Sequence, residues 1–235
     1  MLANTIKALG AIALLTFPFS ILATRLDLIH FRTAFDLIGY SVMLAVAIFL
    51  VGTIVGFLAS KSYPELAKAA CFASLLSVVP LIVLGNQFIK TQTLPAIHNI
   101  STDVQNPPSF NAIASVRGPD ANPLEYPATN IAPQQAAYPN VKTLILEQPV
   151  SEVFARAMSV VEENGWEIVA QDADAGIIEA TATTLLWGFK DDVVIRVTEG
   201  ESSTLVDVRS VSRVGASDIG ANAKRIESIL SDLAN

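Results

Sequence analysis

Apolar residues follow two regimes along this chain of 235 residues. In the first 90 positions they form long unbroken runs, whereas beyond about residue 140 they alternate with polar residues or recur at helical spacing. Seventeen uncharged residues separate Lys7 from Arg25, twenty-four separate Asp36 from Lys61, and twenty-one separate Lys68 from Lys90. Each run is close to the roughly 20 residues that cross a bilayer core as helix. Three transmembrane helices are therefore expected, at about 7–24, 36–59 and 67–88, with Pro18 and Pro80 kinking the first and third.

The distal pattern is that of an α+β domain over 141–235. A strand at Lys142–Glu147 leads to a helix opened by Pro149 and Ser151 and ended by Asn164-Gly165, with Val153, Ala157, Val160 and Val161 as its apolar stripe. Strands follow at Trp166–Gln171 and Ile177–Leu186, around a turn at Asp172–Gly176. Period-two alternation in Asp192–Val197 and Thr204–Ser212, joined by Glu199–Ser203, predicts a hairpin. Its apolar set is Val193, Ile195, Val197, Val206 and Val208, which leaves Arg196, Asp207, Arg209 and Arg213 on the opposite face. A final helix is expected to start at an N-cap on Ser217, after a turn in which Gly215 takes positive φ, and to bury Ile219, Ala223, Ile226, Ile229, Leu230 and Leu233. The order is βαββββα, an antiparallel sheet with two helices on its apolar face.

Between these regions, eight of the twelve prolines fall in 91–140 with little apolar periodicity, which predicts a mostly extended tether. The stretch His98–Phe110, HNISTDVQNPPSF, is too specific in composition for pure spacer and is expected to pack along a domain surface.

Charge separates the two regimes further. Residues 1–90 carry a formal +3 and residues 91–235 a formal −10. An acidic distal half without a basic stripe excludes nucleic acid as a partner. The single cysteine, Cys71, forms no internal disulfide and is silent about redox compartment. A cleaved signal peptide is the alternative for the first run, but Ile21-Leu22-Ala23 lacks the small residue that an A-x-A-like site needs. With the N-terminus inside, three crossings place residues 91–235 outside the cytoplasm. Lys7, Lys61 and Lys68 on one side balance Arg25, Arg32 and Lys90 on the other, so loop charge does not decide the orientation.

The predicted spans have no ionisable residue in their interiors, which argues for anchoring and against an ion pathway. Gly52 and Gly56 form a GxxxG spacing, suited either to packing within the three helices or to association with another copy or another membrane protein. In the distal region no nucleophile elbow, zinc-protease, phosphate-loop or dinucleotide signature occurs. With only His30 and His98 as histidines, no metal or cofactor is expected. Asp172-Ala173-Asp174-Ala175-Gly176 begins like a calcium loop, but the next ligand is missing and Glu179 comes too early for the distal carboxylate.

The candidate site is the outward sheet face, where Glu179, Thr181 and Thr183 would lie beside Arg196, Asp207, Arg209 and Arg213. Arginine forks at such a face suit carboxylate or phosphate groups, and the plain alternative is cross-strand ion pairing on a solvated surface. His98 and Asp103 are a candidate acid-base or metal pair, with simple hydrogen-bonded docking of the linker as the alternative. Trp187-Gly188-Phe189 is expected at an edge of the core.

The motifs PAIHNISTDVQNPPSF, YPNV, EATATTLLWGFKDDVVIRV and VDVRSVSRVGASDIGANAKRIESIL resemble the bacterial family called domain of unknown function 1499, over residues 95–235. The resemblance implies an envelope-associated domain with no established reaction, and it transfers no catalytic residues. The expected role is a membrane-anchored envelope protein, multi-pass in the bacterial inner membrane, whose extracytoplasmic domain binds a protein partner or an amphiphilic ligand. The alternative is a membrane-surface enzyme using His98, Asp103 and the sheet-face arginines. An apolar cavity between sheet and helices would favour the ligand, and a deep pocket joining His98, Asp103 and an arginine would favour catalysis.

Overall fold

The computed structural model describes residues 1–235. The chain divides into two compact units, one of Met1–Lys90 with Leu186–Gly188, the other of Thr91–Leu185 with Phe189–Asn235.

Three helices make the first unit: α1 Leu2–Arg25, α2 Phe31–Ala59 and α3 Pro64–Thr93. All three are long and apolar enough to cross a membrane. They run a few residues past the uncharged stretches, because a helix satisfies its own backbone groups whether or not lipid surrounds it. Lipid tails are as apolar as leucine, so helices in such a setting associate through close packing and hydrogen bonds. Small residues accordingly fill the seams. The Ser41 hydroxyl donates to the Ala13 carbonyl at 2.7 Å. A Cβ on Gly52 would lie 2.4 Å from Ser74 Oγ, and one on Gly56 2.6 Å from Cys71 Sγ, so both glycines face α3 of the same chain. Large side chains such as Leu15, Phe19, Phe57 and Leu58 point outward.

The second unit is built on a six-stranded antiparallel sheet in the order β1-β6-β5-β4-β3. The strands are β1 Asn99–Ser101, β2 Leu144–Leu146, β3 Glu167–Asp172, β4 Ile177–Thr183, β5 Lys190–Glu199 and β6 Thr204–Ser212. The two short strands share one edge of β6, β1 against Arg209–Val211 and β2 against Thr204–Val206. The helices are α4 Ile113–Val116, α5 Ile131–Ala137, α6 Val150–Glu163 and α7 Ala221–Ala234. From β2 onward the order is the expected βαββββα, and the sixth strand, β1, comes from the segment expected to be a tether.

One sheet face is apolar. Ile178, Ala180, Val193, Ile195, Val197, Val206 and Val208 pack with Val153, Ala157 and Val161 of α6 and with Ala223, Ile226, Ile229 and Leu233 of α7. The Arg156 side chain fastens the two helices by donating to the Leu233 carbonyl at 2.7 Å. Gly176 closes the β3–β4 turn at φ +67, where any Cβ would lie 2.0 Å from the Val197 carbonyl oxygen.

Three expectations need correction. The Pro-rich segment is not a tether: Leu94 and Ile97 join the core, and β1 is held on its far side by Gln134, which accepts from Ser101 N at 3.1 Å and donates to Ser101 O at 2.7 Å. An amide side chain here supplies the hydrogen bonds of a neighbouring strand, so low periodicity did not mean lack of structure. Second, β4 ends at Thr183, three residues before the expected Leu186. Third, Ser217 is not the N-cap of α7. Its Oγ accepts only from Ile219 N at 3.2 Å, whereas Asp218 accepts from Gly220 N at 2.8 Å and from Asn222 N at 2.9 Å. Ile219 at φ +52 and Gly220 at φ +78 delay the helix to Ala221, beyond the reach of the serine. Gly215 has φ +93.

Candidate functional site

Period-two alternation puts the polar residues of three strands on the face opposite the helices, and register aligns them in rows. Thr181, Asp192, Val211 and Asn99 form one row, Glu179, Val194, Arg209 and Ser101 the next, and Ile177, Arg196 and Asp207 the third. Such a face on an antiparallel sheet usually meets water. Here it does not: Glu179, Thr181, Asp192, Asp207 and Arg209 are each at most 5% exposed. The solvated ion-pair surface expected from the sequence is a buried polar layer, covered by the segment that runs from Thr102 to α5.

Each buried carboxylate is met by this cover, by Thr143 or by neighbours on the sheet face. Glu179 accepts from the amides of Asn111 (2.8 Å), Ala112 (3.2 Å) and Ile113 (2.8 Å), and so holds the start of α4 with no cation involved. Asp207 accepts from the hydroxyls of Thr102 at 2.8 Å and Thr143 at 2.6 Å, and from Arg196 Nη2 at 2.8 Å. The same Arg196 nitrogen reaches Asp103 at 3.2 Å. Asp192, fully buried, receives Arg213 through Nε and Nη2 at 2.7–3.1 Å and the Thr181 hydroxyl at 3.0 Å. Arg117 Nε also lies 2.9 Å from its carboxylate, while Arg117 Nη2 has no hydrogen-bond partner. Burial pushes the Arg117 guanidinium down, with Asp192 opposing and Arg213 adding to the shift.

Arg209 differs from the other arginines of this layer. It has no carboxylate partner. Its Nε donates to Asn99 Oδ1 at 3.0 Å, Nη1 to the Pro108 carbonyl at 3.0 Å, and Nη2 to the Leu124 carbonyl. The Phe110 and Tyr126 rings lie 5.2 and 5.7 Å from the guanidinium carbon, within range of cation–π attraction. Burial pushes Arg209 down to about 10, which leaves it charged at neutral pH. Burial likewise pushes the Tyr126 phenol up to about 12, and its hydroxyl donates to Gln134 Oε1 at 2.8 Å. A guanidinium has five N–H donors, so three bonds to neutral acceptors leave two donors over and the charge without a carboxylate partner. Beside it opens a recess of about 530 Å³ whose wall combines Val104, Phe110 and Tyr126 with the polar Gln105 and Ser109 and the exposed Glu125. The recess lies on the face of the sheet opposite α6 and α7, not between sheet and helices, where an apolar cavity would have favoured an amphiphilic ligand.

The other predicted residues are dispersed. His98 is half-buried, with Nδ1 3.4 Å from the Ala216 carbonyl, and its backbone carbonyl accepts from Ser212 N. Asp103 instead accepts from the amides of Gln105 and Asn106 and pairs with Arg196, at the Asp207 end of the sheet. The acid-base pair therefore does not form. Thr183 is exposed, at the end of β4. Sequence reasoning missed Arg117, Asp192, Asn99, Phe110 and Tyr126. For Asp192 the signal was present, since a charged residue two positions before Val194 on the same face must find a partner if that face is covered.

The fold and this covered polar face define an α+β domain carried on a membrane-associated helical segment. The chain belongs to the family described as protein of unknown function (DUF1499), whose model matches residues 99–233. The match begins at β1, so the covering segment is part of the family domain. Comparison with curated proteins gave no match.

Proposed function

We propose that this chain is a multi-pass protein of the bacterial cell membrane whose distal domain lies outside the cytoplasm and binds a small anionic amphiphile in the Arg209 recess. One observation carries the reading: Arg209 is a buried cation without a carboxylate partner, at the wall of a recess lined by both polar and apolar side chains. Burying an unpaired charge is costly, and an anionic head group that brought its own negative charge would relieve that cost. The part of the wall formed by Val104, Pro107, Phe110 and Tyr126 offers contact for a short hydrocarbon tail, while Gln105 and Ser109 offer polar groups beside the head group.

The test uses the full chain in nanodiscs and ligand-observed NMR with octanoate, octanol and octyltrimethylammonium, which share one tail. Octanoate should bind at least tenfold more tightly than the other two, after subtraction of empty discs. Both Arg209→Gln, which removes the charge, and Val104→Trp, which fills the recess, should abolish binding. Equal binding of the three probes, or octanoate binding unchanged in both variants, would refute the proposal. The orientation is checked separately: a reporter active only in the periplasm, fused after Asn235, should be active, and activity of a cytoplasm-only reporter there would reverse the assignment.

A further inference from the structure

At the end of the sheet away from Asp207, the polar layer holds a cluster in which cations outnumber carboxylates. Asp192, fully buried, is the one carboxylate that both Arg117 and Arg213 reach. A single negative charge therefore answers two guanidinium groups, whose side chains are only 6% and 16% exposed. The shortage shows in the donors. Arg117 Nη2 is buried with no hydrogen-bond partner. Arg213 bonds through Nε and Nη2, to Asp192 and the Thr181 hydroxyl, and its Nη1 makes no hydrogen bond within the protein.

Beside this cluster opens a recess of about 440 Å³, with Glu167, Thr181, Lys190 and Arg213 as its polar lining and Val116, Ile168 and Val169 as its apolar lining. All of these residues belong to the distal unit. Lys190 is the second cation on the wall. Its ammonium stands 3.5 Å from Glu167, with the two side chains 43% and 71% exposed. An ion pair this open to water contributes little, so Glu167 competes weakly with an anion seated in the recess. Around the recess three cations, Arg117, Lys190 and Arg213, then face two carboxylates.

The free donors also select the shape of that anion. The Nε–Nη2 edge of Arg213, which grips a planar carboxylate through two parallel bonds, is already occupied by Asp192 at 3.0 and 2.7 Å. What remains is Nη1 of Arg213 and the rotatable ammonium of Lys190, two separate donors in place of a fork. Separate donors suit the divergent oxygens of a tetrahedral group better than the two coplanar oxygens of a carboxylate.

We propose that this recess is a phosphate-binding site, in which Arg213 Nη1 and Lys190 Nζ hold the oxygens while Val116 and Val169 narrow the access of water. The site is separate from the Arg209 recess, and its test does not depend on the ligand proposed there.

The test uses the full chain in dodecyl maltoside micelles, which contain no phosphate, with ligand-observed NMR of inorganic phosphate, glycerol 3-phosphate and acetate. Both phosphates should bind at least fivefold more tightly than acetate. Tighter binding of glycerol 3-phosphate than of inorganic phosphate assigns the site to an esterified phosphate such as a lipid head group, and the reverse order assigns it to the free ion. Lys190→Gln should weaken phosphate binding about fivefold, the effect of one charge-assisted contact. Val116→Glu, which brings a negative charge to the wall from an exposed position, should abolish binding, and Glu167→Gln, which releases Lys190, should tighten it. Lys224→Gln removes an exposed lysine from α7, on the other face of the sheet, and should change nothing. Phosphate bound no more tightly than acetate, or weakened equally by Lys190→Gln and Lys224→Gln, would overturn the proposal.

Discussion

The two faces of the distal sheet are held by different physics. Under α6 and α7 the contacts are aliphatic, non-directional and interchangeable in kind, with Ile195, Val208, Ile226 and Leu233 each one of many packed neighbours. Under the covering segment, stability depends on individual donors and acceptors: Glu179 on three amides, Asp207 on two threonine hydroxyls and Arg196, Asp192 on two arginines. An apolar layer loses stability in proportion to the volume removed. A buried polar layer fails at a single deletion, because the partner left behind keeps its charge and has no water to meet it.

That contrast predicts the largest effect at Asp192. Replacing it by Ala strands Arg117 and Arg213, so the distal domain should lose about 3–5 kcal/mol. On the helix side a comparable single change, Ile226→Val, should cost only about 0.5–1.5 kcal/mol. Denaturant titration of the full chain, followed by protection of β6 amides against hydrogen exchange, measures both. Equal losses for the two variants would break the distinction between the faces.

A smaller effect, and a sharper one, concerns the hinge between the faces at the start of α7. Burial raises the Asp218 carboxyl above its ordinary 3.8, while the Asn222 and Gly220 amides pull it back in part. The folded protein thus holds this proton more tightly than the unfolded chain does. Its contribution to stability is full below about pH 3.8 and is lost as pH rises through the raised folded value. The stability of the wild type minus that of Asp218→Asn should therefore fall with rising pH above about 4, a comparison that cancels the other carboxylates. A difference that rises with pH would mean that the amide bonds outweigh burial.

At the weakest end, Ser217→Ala should now cost a few tenths of a kcal/mol, below the roughly 1 kcal/mol of a true N-cap, because Asp218 holds the first turn of α7. Melting temperatures of Ser217→Ala and Asp218→Ala separate the two. A larger loss from the serine change would restore it as the cap.

The first unit and the apolar face of the second were legible in the chain because both are written in local periodicity. Uncharged runs of bilayer length predict helices long and apolar enough to span a membrane, and alternation around Val193–Val197 and Val206–Val208 fixes which side of the sheet is apolar. Membership of the polar face, Glu179, Arg196, Asp207 and Arg209, followed from the same alternation. What the alternation could not say is what lies over that face. Segment 91–140 has neither period, and its order comes from contacts far away in sequence, such as Asn111–Ile113 with Glu179, Pro108 and Leu124 with Arg209, and Gln134 with Ser101. Hydrogen bonds between a side chain and a remote backbone leave no repeating mark in a sequence. Burial of the polar face, the isolation of Arg209 from any carboxylate and the separation of His98 from Asp103 were therefore decided by the tertiary structure alone.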